Sequence, residues 1–349
     1  MTVLVLTRRR MDATADMIVA ELSARGVPIV RLDPGDFPES SVLTARLDPG
    51  RTGWEGVWRG QHRDLPLEAV TSVYYRRPTG NRLRPGLSVE DARWAQAEAR
   101  AGLGGVLTSL SCTWVNHPHR NAVADCVPVA LAEAARSSLT VPSTLITNDP
   151  AEARDFVSAL PGGRAAYKPL GNSAPGAHRG QRHALWTTLV TADQITPDIA
   201  VTAHLFQAWV DKAYEVRLTA VGDRLFAGEI HAGSEASRSD FRRDYDALTY
   251  APCEHVPKTV RRGVRALMRT FGLRYVAMDF LVDHQGGWHA VDVNPNGQYG
   301  FIPHLREPIT RAIADVLQGE IPPCPPPPHH PTPRKLAGAW PTPSPPKAC

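Results

Sequence analysis

The segment YVAMDFLVDHQGGWHAVDVNPNG, residues 275–297, has the pattern of a β-hairpin. Two runs of strand-forming residues flank Gly286-Gly287, a residue pair favoured in tight turns between antiparallel strands. Because side chains alternate along a strand, Asp292 and Asn294 share one face, and pairing across the turn brings them near Asp279. Three close oxygen side chains suit Mg²⁺, which keeps several waters and binds beside nucleotide phosphates. Taken alone, the segment fits a surface hairpin with scattered polar residues equally well.

Length and composition indicate a globular protein of more than one domain. The chain has 349 residues, of which 42% are hydrophobic and 21% charged. A net charge of +4, with no basic run interleaved with aromatic residues, does not favour a nucleic-acid partner. The five cysteines are unclustered, which predicts neither a zinc site nor a disulfide framework. No apolar stretch approaches the roughly 20 residues of a membrane span, and no secretory signal pattern is present. These features predict a cytoplasmic protein without a membrane partner.

The first third of the chain has a β-α-β opening. Residues 3–6 and 29–32 are predicted strands, and residues 12–24 form the predicted helix between them. Further strands are predicted at 42–47, 54–58 and 72–77, followed by a helix at 88–108 that frays near Gly102, Gly104 and Gly105. Three arginines after Thr7 take the place of a glycine-rich phosphate loop, so this small doubly wound lobe is not predicted to bind a dinucleotide.

The remainder of the chain mixes strands and helices until a change in composition near residue 321. Strands are predicted at 114–118, 141–147, 165–170, 185–190, 204–210, 214–221 and 225–231, helices at 122–135, 149–160, 257–270 and 305–317, a glycine-rich loop at 171–180, and irregular structure at 234–246. Twelve of the 32 prolines lie between Pro322 and Pro346, which predicts a solvated, disordered tail.

Three polar residues on the middle strands are candidates for contact with a nucleotide. Lys168, one of only five lysines, lies on the strand that leads into the glycine-rich loop, an arrangement that presents an ammonium group and backbone N–H groups to phosphate. Gln207, placed at a strand edge, is suited to the adenine amino group, and Glu215 to ribose hydroxyls. Taken alone, Lys168 is equally explained as a solvent-facing lysine, and Gln207 and Glu215 are more often plain surface polar residues.

The order of these elements resembles the ATP-grasp superfamily of carboxylate ligases over residues 114–317. Its most specific element is an Asp followed by Glu-x-Asn, and here Asp292 and Asn294 follow Asp279 by the same 13 and 15 positions. Within the superfamily, the chain resembles the microviridin-type ribosomal-peptide maturases, or graspetide synthetases. The segments that carry this resemblance are YYRRP (74–78), WVNHP (114–118), VPSTLITNDP (141–150), YKPL (167–170), FQAWVDKAYEVRLTAVGDRLFAGEI (206–230), DFRRDYD (240–246) and DVNPNGQYGF (292–301).

The resemblance implies an α/β protein with the ATP-grasp fold. The resemblance implies that residues 1–112 form an N-terminal lobe that binds the precursor peptide. It implies that residues 113–320 form two α+β subdomains that clasp ATP. Residues 321–349 are a proline-rich tail outside the family pattern. The implied partners are ATP, Mg²⁺, the leader and core of a ribosomal precursor peptide, and a second copy of the chain.

The resemblance also implies roles for individual residues. Those roles are nucleotide binding for Lys168, Gln207, Trp209, Val210, Lys212 and Glu215; Mg²⁺ binding for Asp279, Asp292 and Asn294; neutralisation of the transferred phosphoryl group for Arg217 and Arg242; and peptide contact for Arg76, Arg77 and Asp240. Such an enzyme activates a carboxylate as an acyl phosphate, which a hydroxyl or amine then attacks.

Two departures from the family pattern concern the site. Val127 stands where the family has an earlier lysine, and Arg120 is a candidate substitute for that lysine. Asp292 replaces the usual Glu, which shortens one metal-binding side chain by a methylene. Three functions therefore stay open. Two are ligases, one that cross-links a precursor peptide and one that joins separate amino acids. The third is a degenerate protein that senses a nucleotide without ligating, and the two departures motivate it.

Overall fold

Residues 2–8, 12–171 and 186–320 are described in the computed structural model of this chain. The strands are β1 Thr2–Thr7, β2 Ile29–Leu32, β3 Val42–Arg46, β4 Glu55–Arg59, β5 Asp64–Pro66, β6 Val70–Arg76, β7 Thr113–Val115, β8 Thr144–Thr147, β9 Arg164–Lys168, β10 Thr188–Thr191, β11 His204–Ala208, β12 Lys212–Val221, β13 Arg224–Ala232, β14 Leu248–Pro252, β15 Tyr275–Asp283 and β16 Trp288–Asn294. The helices are α1 Ala13–Ala24, α2 Val89–Thr108, α3 Pro118–Ala124, α4 Val127–Arg136, α5 Pro150–Ala159, α6 Glu235–Ser239, α7 Lys258–Phe271 and α8 Pro303–Gln318. The predicted proline-rich tail and most of the predicted glycine-rich loop lie outside the described residues.

The N-terminal lobe is built on a parallel sheet of order β2-β1-β6-β7. β1 is a continuous buried apolar run, as expected for the inner strand of a parallel sheet. The side chain of Asp12 caps α1 by accepting a hydrogen bond from the backbone N–H of Ala15, and Ile18 and Leu22 of α1 are fully buried. The predicted β-α-β opening is confirmed. A smaller antiparallel sheet of β3, β4 and β5 completes the lobe.

Helix α2 continues through the three glycines at which fraying was predicted, so that expectation is wrong. Each glycine lowers the helix propensity, but Leu103, Val106 and Leu107 pack into the core of the lobe from the same turns. Tertiary packing therefore outweighs local propensity at the end of this helix.

The middle subdomain is an antiparallel sheet of order β10-β9-β11-β8, with α5 packed against it. Asp149 caps α5 by accepting from the N–H of Ala151. The single helix predicted at 122–135 is wrong, because α3 ends at Ala124 and α4 begins at Val127. Pro128 explains the restart, since proline is accommodated in the first turn of a helix, where its missing N–H costs nothing.

The C-terminal subdomain is an antiparallel sheet of order β14-β13-β12-β15-β16, covered by a helix on each face. Helix α7 packs with Met278 and Phe280 on one face, and α8 packs with Tyr275 and Ala277 on the other. The predicted hairpin is confirmed as β15 and β16. Strand β14 was not predicted, and the segment predicted to be irregular contains α6 and two 3₁₀ turns.

Two polar contacts fasten the N-terminal lobe to the C-terminal subdomain. Asn116, which follows β7, donates to the carbonyls of Tyr275 (2.8 Å) and Pro295 (3.0 Å) and accepts from the N–H groups of Arg274 (2.8 Å) and Tyr275 (3.0 Å). Asp315 on α8 pairs with Arg25 at 2.7 Å and with Arg224 at 2.7 Å. Because β7 pairs with β6 in the sheet of the lobe, we propose that the boundary to the ATP-grasp domain lies after Asn116, four residues beyond the predicted end of the lobe at residue 112.

Candidate functional site

The two carboxylates singled out on the hairpin lie directly opposite each other. Asp279 of β15 is in register with Asp292 of β16, and the pairing slips by one residue immediately beyond them. Together with Asn294 they line one cleft, which Lys168 also lines. The predicted convergence of these four side chains is confirmed as geometry. Mg²⁺ binding by Asp279, Asp292 and Asn294, and phosphate binding by Lys168, stay predictions.

The cleft has a volume of about 290 Å³ and lies where the middle sheet meets the C-terminal sheet. Its polar lining residues include Asp125, Lys168, Gln207, Lys212, Glu215, Asp240, Arg242, Asp279, Asp292 and Asn294. The backbone segment after β11, which contains Trp209 and Val210, forms part of its wall. Both charge signs are therefore concentrated in one concave site between two sheets, a position typical of ligand sites.

Lys168 is held at the back of the cleft by the side chain of Gln207. Its Nζ donates to Gln207 Oε1 at 2.8 Å and to the carbonyl of Val291 at 3.5 Å, and removal from solvent lowers its pKa. Gln207 Nε2 donates in turn to Thr144 Oγ1 at 2.9 Å. The prediction that Gln207 lies at a strand edge is wrong, because β11 is paired on both sides. With both ends of its amide occupied, Gln207 is arranged to orient Lys168.

Lys212 and Glu215 form a second buried pair on β12. Lys212 Nζ and Glu215 Oε1 are 2.6 Å apart, and the two side chains are only 11% and 9% exposed. A buried ammonium needs such a partner, because an unpaired charge in this position is costly.

Arg217 forms an ion pair with Asp279 and is not part of the lining of the cleft. Its Nε is 2.9 Å from Asp279 Oδ1, and its guanidinium lies over the rings of Phe241 and Phe301, at 5.9 Å and 5.4 Å from their centroids. Neutralisation of a transferred phosphoryl group by Arg217 stays a prediction. Arg217 is placed to hold Asp279.

Burial raises the pKa of Asp279 to about 7, with Arg217 opposing the shift and the negative charge of Asp292 adding to it. A divalent cation bound at this point of the cleft would reduce the repulsion between the two carboxylates. Within the described ranges, no group of three or more His, Cys, Asp or Glu side chains is close enough to hold a metal. Two carboxylates and one amide do fit Mg²⁺, which completes its coordination with waters and phosphate oxygens.

Arg242 lines the cleft and is fixed by Asp240. Its Nε and Nη2 donate to the two oxygens of Asp240 at 2.8 Å and 2.5 Å, and Trp186 lies against its guanidinium. Asp240 is 5% exposed and also accepts from the N–H of Thr187. Burial raises the pKa of Asp240, but the hydrogen bonds from Arg242 outweigh it, so the pKa is lowered overall. Both oxygens of Asp240 are thus engaged, which contradicts its predicted contact with a peptide.

Arg76 is 2% exposed and has no access to a peptide, so its predicted contact with substrate is wrong. It donates to the carbonyl of Asn296 and lies 3.7 Å from Asp12, which ties β6 to the turn after β16. Arg77 is exposed, with its Nη2 3.5 Å from the same carbonyl of Asn296. Its contact with substrate stays a prediction.

The break between α3 and α4 contributes two residues to the cleft, Asp125 and Val127. Asp125 was not predicted as a site residue. Its pKa is raised mainly by burial and to a smaller extent by the negative charge of Asp292. Val127 forms part of the wall, as its alignment with the family lysine suggested. Arg120 does not replace that lysine, because its Nη1 donates to the carbonyl of Gly272 at 2.7 Å and it does not line the cleft. The restart of the helix at Pro128 was the available signal for Asp125.

Comparison with known proteins agrees with this arrangement. Residues 2–122 match the family model described as the MvdD pre-ATP grasp domain. A RiPP-associated ATP-grasp ligase from Chryseobacterium gregarium, solved with ADP and a leader and core peptide, superposes with a TM-score of 0.83 at 23% identity, over 92% of this chain and 98% of that one.

The chain has the ATP-grasp fold. The macrocyclase MdnB from Microcystis aeruginosa MRC is similar to this ATP-grasp chain with a TM-score of 0.73 at 25% identity, over 90% of this chain and 98% of MdnB. D-alanyl-alanine synthetase A from Vibrio cholerae is more distant, with a TM-score of 0.57 at 14% identity over 92% and 98% of the two chains. A search of curated proteins finds no sequence match. Among the described residues, no helix is long and apolar enough to cross a membrane.

Proposed function

We propose that this ATP-grasp ligase activates Asp or Glu side chains of a ribosomal precursor peptide and joins them to Thr or Ser hydroxyls or Lys amines of the same peptide. The observation that carries the proposal is the cleft in which Asp279, Asp292, Asn294 and Lys168 converge, on a fold shared with the C. gregarium ligase. That relative was solved with ADP and with leader and core peptides, which supports ATP and a precursor peptide as the ligands here.

In this proposal the nucleotide occupies the cleft between the sheets. Lys168 and Lys212 bind its phosphates, the backbone at Trp209 and Val210 contacts adenine, and Glu215 contacts ribose. Asp279, Asp292 and Asn294 hold Mg²⁺, which neutralises charge on the phosphate oxygens when bound.

The reaction consists of two displacements. A substrate carboxylate oxygen attacks the terminal phosphorus of ATP, the bond to the bridging oxygen breaks, and ADP leaves. A hydroxyl or amine of the peptide then attacks the acyl carbon, loses its proton and expels phosphate, leaving an ester or amide. Arg242, held by Asp240 at the cleft, neutralises charge on the transferred group. Positioning and charge neutralisation carry most of such catalysis, so no side-chain nucleophile is needed.

Two alternative functions use the same cleft. A ligase that joins separate amino acids uses the same cleft, and the similarity to the peptide-bound C. gregarium ligase favours the peptide substrate. A nucleotide sensor without turnover is motivated by Val127 and by the shorter carboxylate of Asp292.

Co-expression with peptides encoded in neighbouring reading frames, followed by mass spectrometry, tests the proposal. We expect the mass of one water to be lost for each linkage, and ADP release to depend on the peptide. ATP binding without ADP release in the presence of any such peptide supports the sensor, and ADP release with free amino acids alone supports the intermolecular ligase. We also propose a cytoplasmic homodimer, which analytical ultracentrifugation and cell fractionation test.

A further inference from the structure

Helix α7 presents a basic outer face on the side of the C-terminal sheet away from the nucleotide cleft. Its inner residues, among them Val264 and Leu267, pack with Met278 and Phe280 of β15. Asp279 lies between those two strand residues and therefore on the opposite face of the sheet. The outer face of α7 carries Lys258, Arg261, Arg262, Arg265 and Arg269.

This face continues into a pocket of about 480 Å³ between α7 and the end of α4. Its lining includes Arg136, Ser137, Thr259, Arg262, Arg265 and Arg269, and no carboxylate side chain. Gly263 permits the close approach that forms the pocket, since a Cβ at that position meets Leu139 Cδ2 at 2.5 Å and the carbonyl of Ser137 at 2.8 Å. The pocket is therefore built by the packing of two helices and combines guanidinium groups with hydroxyls.

The arginines of this pocket are only partly neutralised by the protein. Arg136 pairs with Glu133 at 3.4 Å, and Arg265 donates to the carbonyl of Asp223 at 3.0 Å while its buried Nε has no hydrogen-bond partner. The guanidinium groups of Arg262 and Arg269 form neither an ion pair nor a hydrogen bond with any residue that the structure describes. Guanidinium groups left in this state bind carboxylates and phosphates, because their N–H groups match paired oxygens.

We propose that α7 and the end of α4 form a docking site for an acidic peptide segment. Lys258 to Arg269 spans about 16 Å at roughly 1.5 Å per residue, which matches several carboxylates along an extended chain better than one phosphate group. The inference rests on the proposed function in one respect: a substrate that supplies Asp and Glu side chains for cross-linking carries such segments. The site holds the peptide from behind the sheet while another part of it enters the cleft.

Fluorescence anisotropy with a labelled oligoglutamate tests the docking site without nucleotide. A probe of about five to ten residues covers the basic face, since an extended chain spans roughly 3.4 Å per residue. The test variant is R262E/R269E. The matched control is R93E/R100E, which makes the same change in charge on the exposed surface of α2. We expect the probe to bind the unmodified chain, to bind the test variant at least tenfold more weakly, and to bind the control as it binds the unmodified chain.

Equal losses in the two double variants reveal non-specific attraction and overturn the docking site, as does unchanged binding in R262E/R269E. Tighter binding of a single-stranded DNA of matched charge, lost in the same variant, overturns the peptide assignment in favour of nucleic acid. The D279N variant separates this inference from the ligase function. We expect D279N to bind oligoglutamate as the unmodified chain does, because Asp279 lies on the other face of the sheet. This result is independent of whether ligase activity is found.

Discussion

Replacing Gln207 by Met tests whether this residue supports Lys168 or reads adenine. Gln207 accepts from Lys168 Nζ at 2.8 Å and donates to Thr144 Oγ1 at 2.9 Å. The substitution retains the length of the side chain and removes both hydrogen bonds. A hydrogen bond to a charged group contributes about 1.5–3 kcal/mol, and each 1.4 kcal/mol corresponds to about a tenfold change in affinity. We therefore expect Q207M to bind the nucleotide phosphates roughly 10- to 100-fold more weakly.

The ligands used in the assay distinguish the two roles. Isothermal titration with Mg-ATP and with Mg-tripolyphosphate, which has no base, measures affinity with and without adenine. If Gln207 orients Lys168, both affinities fall by a similar factor. Thr144→Val is the control, since it leaves the hydrogen bond between Lys168 and Gln207 in place. It removes the bond from Gln207 Nε2 and the one that Thr144 Oγ1 donates to the carbonyl of Pro142 at 2.7 Å. We expect it to weaken both ligands by a factor of about five, or roughly 1 kcal/mol. A loss for ATP with unchanged tripolyphosphate binding would refute the reasoning and restore the adenine role.

Three further predictions concern the metal, the lobe junction and pH. Asp279→Ala should abolish peptide-dependent ADP release while circular dichroism stays unchanged, and full activity in this variant removes the metal assignment. Asn116→Ala leaves four backbone groups without partners, so urea unfolding should show a loss of about 3–5 kcal/mol at about 1 kcal/mol each; a loss below about 1 kcal/mol contradicts the junction. Burial raises the pKa of Asp315, but its hydrogen bonds with Arg25 and a second arginine outweigh this and lower it. The ionised form therefore stabilises the fold above about pH 4, and this contribution disappears as pH falls through the lowered pKa. Asp315→Asn should cost about 1 kcal/mol at pH 7 and progressively less below about pH 4, and an equal cost at both values contradicts the ion pairs.

The sequence alone determined the hairpin and the position of its polar side chains. Alternation with a period of two, interrupted by Gly286-Gly287, places Asp279 and Asp292 on adjacent strands, and that pattern is local. The cap of α5 is also a local feature, because capping depends on residues within one turn; of Asn148 and Asp149, which the sequence offers, the structure selects Asp149. The proximity of Lys168 to the hairpin was predicted from the resemblance to the ATP-grasp superfamily. In the structure Lys168 is the last residue of β9 and lines the same cleft as the hairpin.

Only the tertiary structure decided how the charged residues are paired. The sequence suggested contact with a ligand for both Arg217 and Arg76. In the structure Arg217 pairs with Asp279, and Arg76 is buried against the turn after β16. Gln207 contacts Lys168 because β11 lies beside β9 in the sheet, and no local sequence pattern contains that strand order. Alternation assigns a residue to a face of its strand, whereas the partner of a buried charge depends on which distant segment the fold brings opposite it.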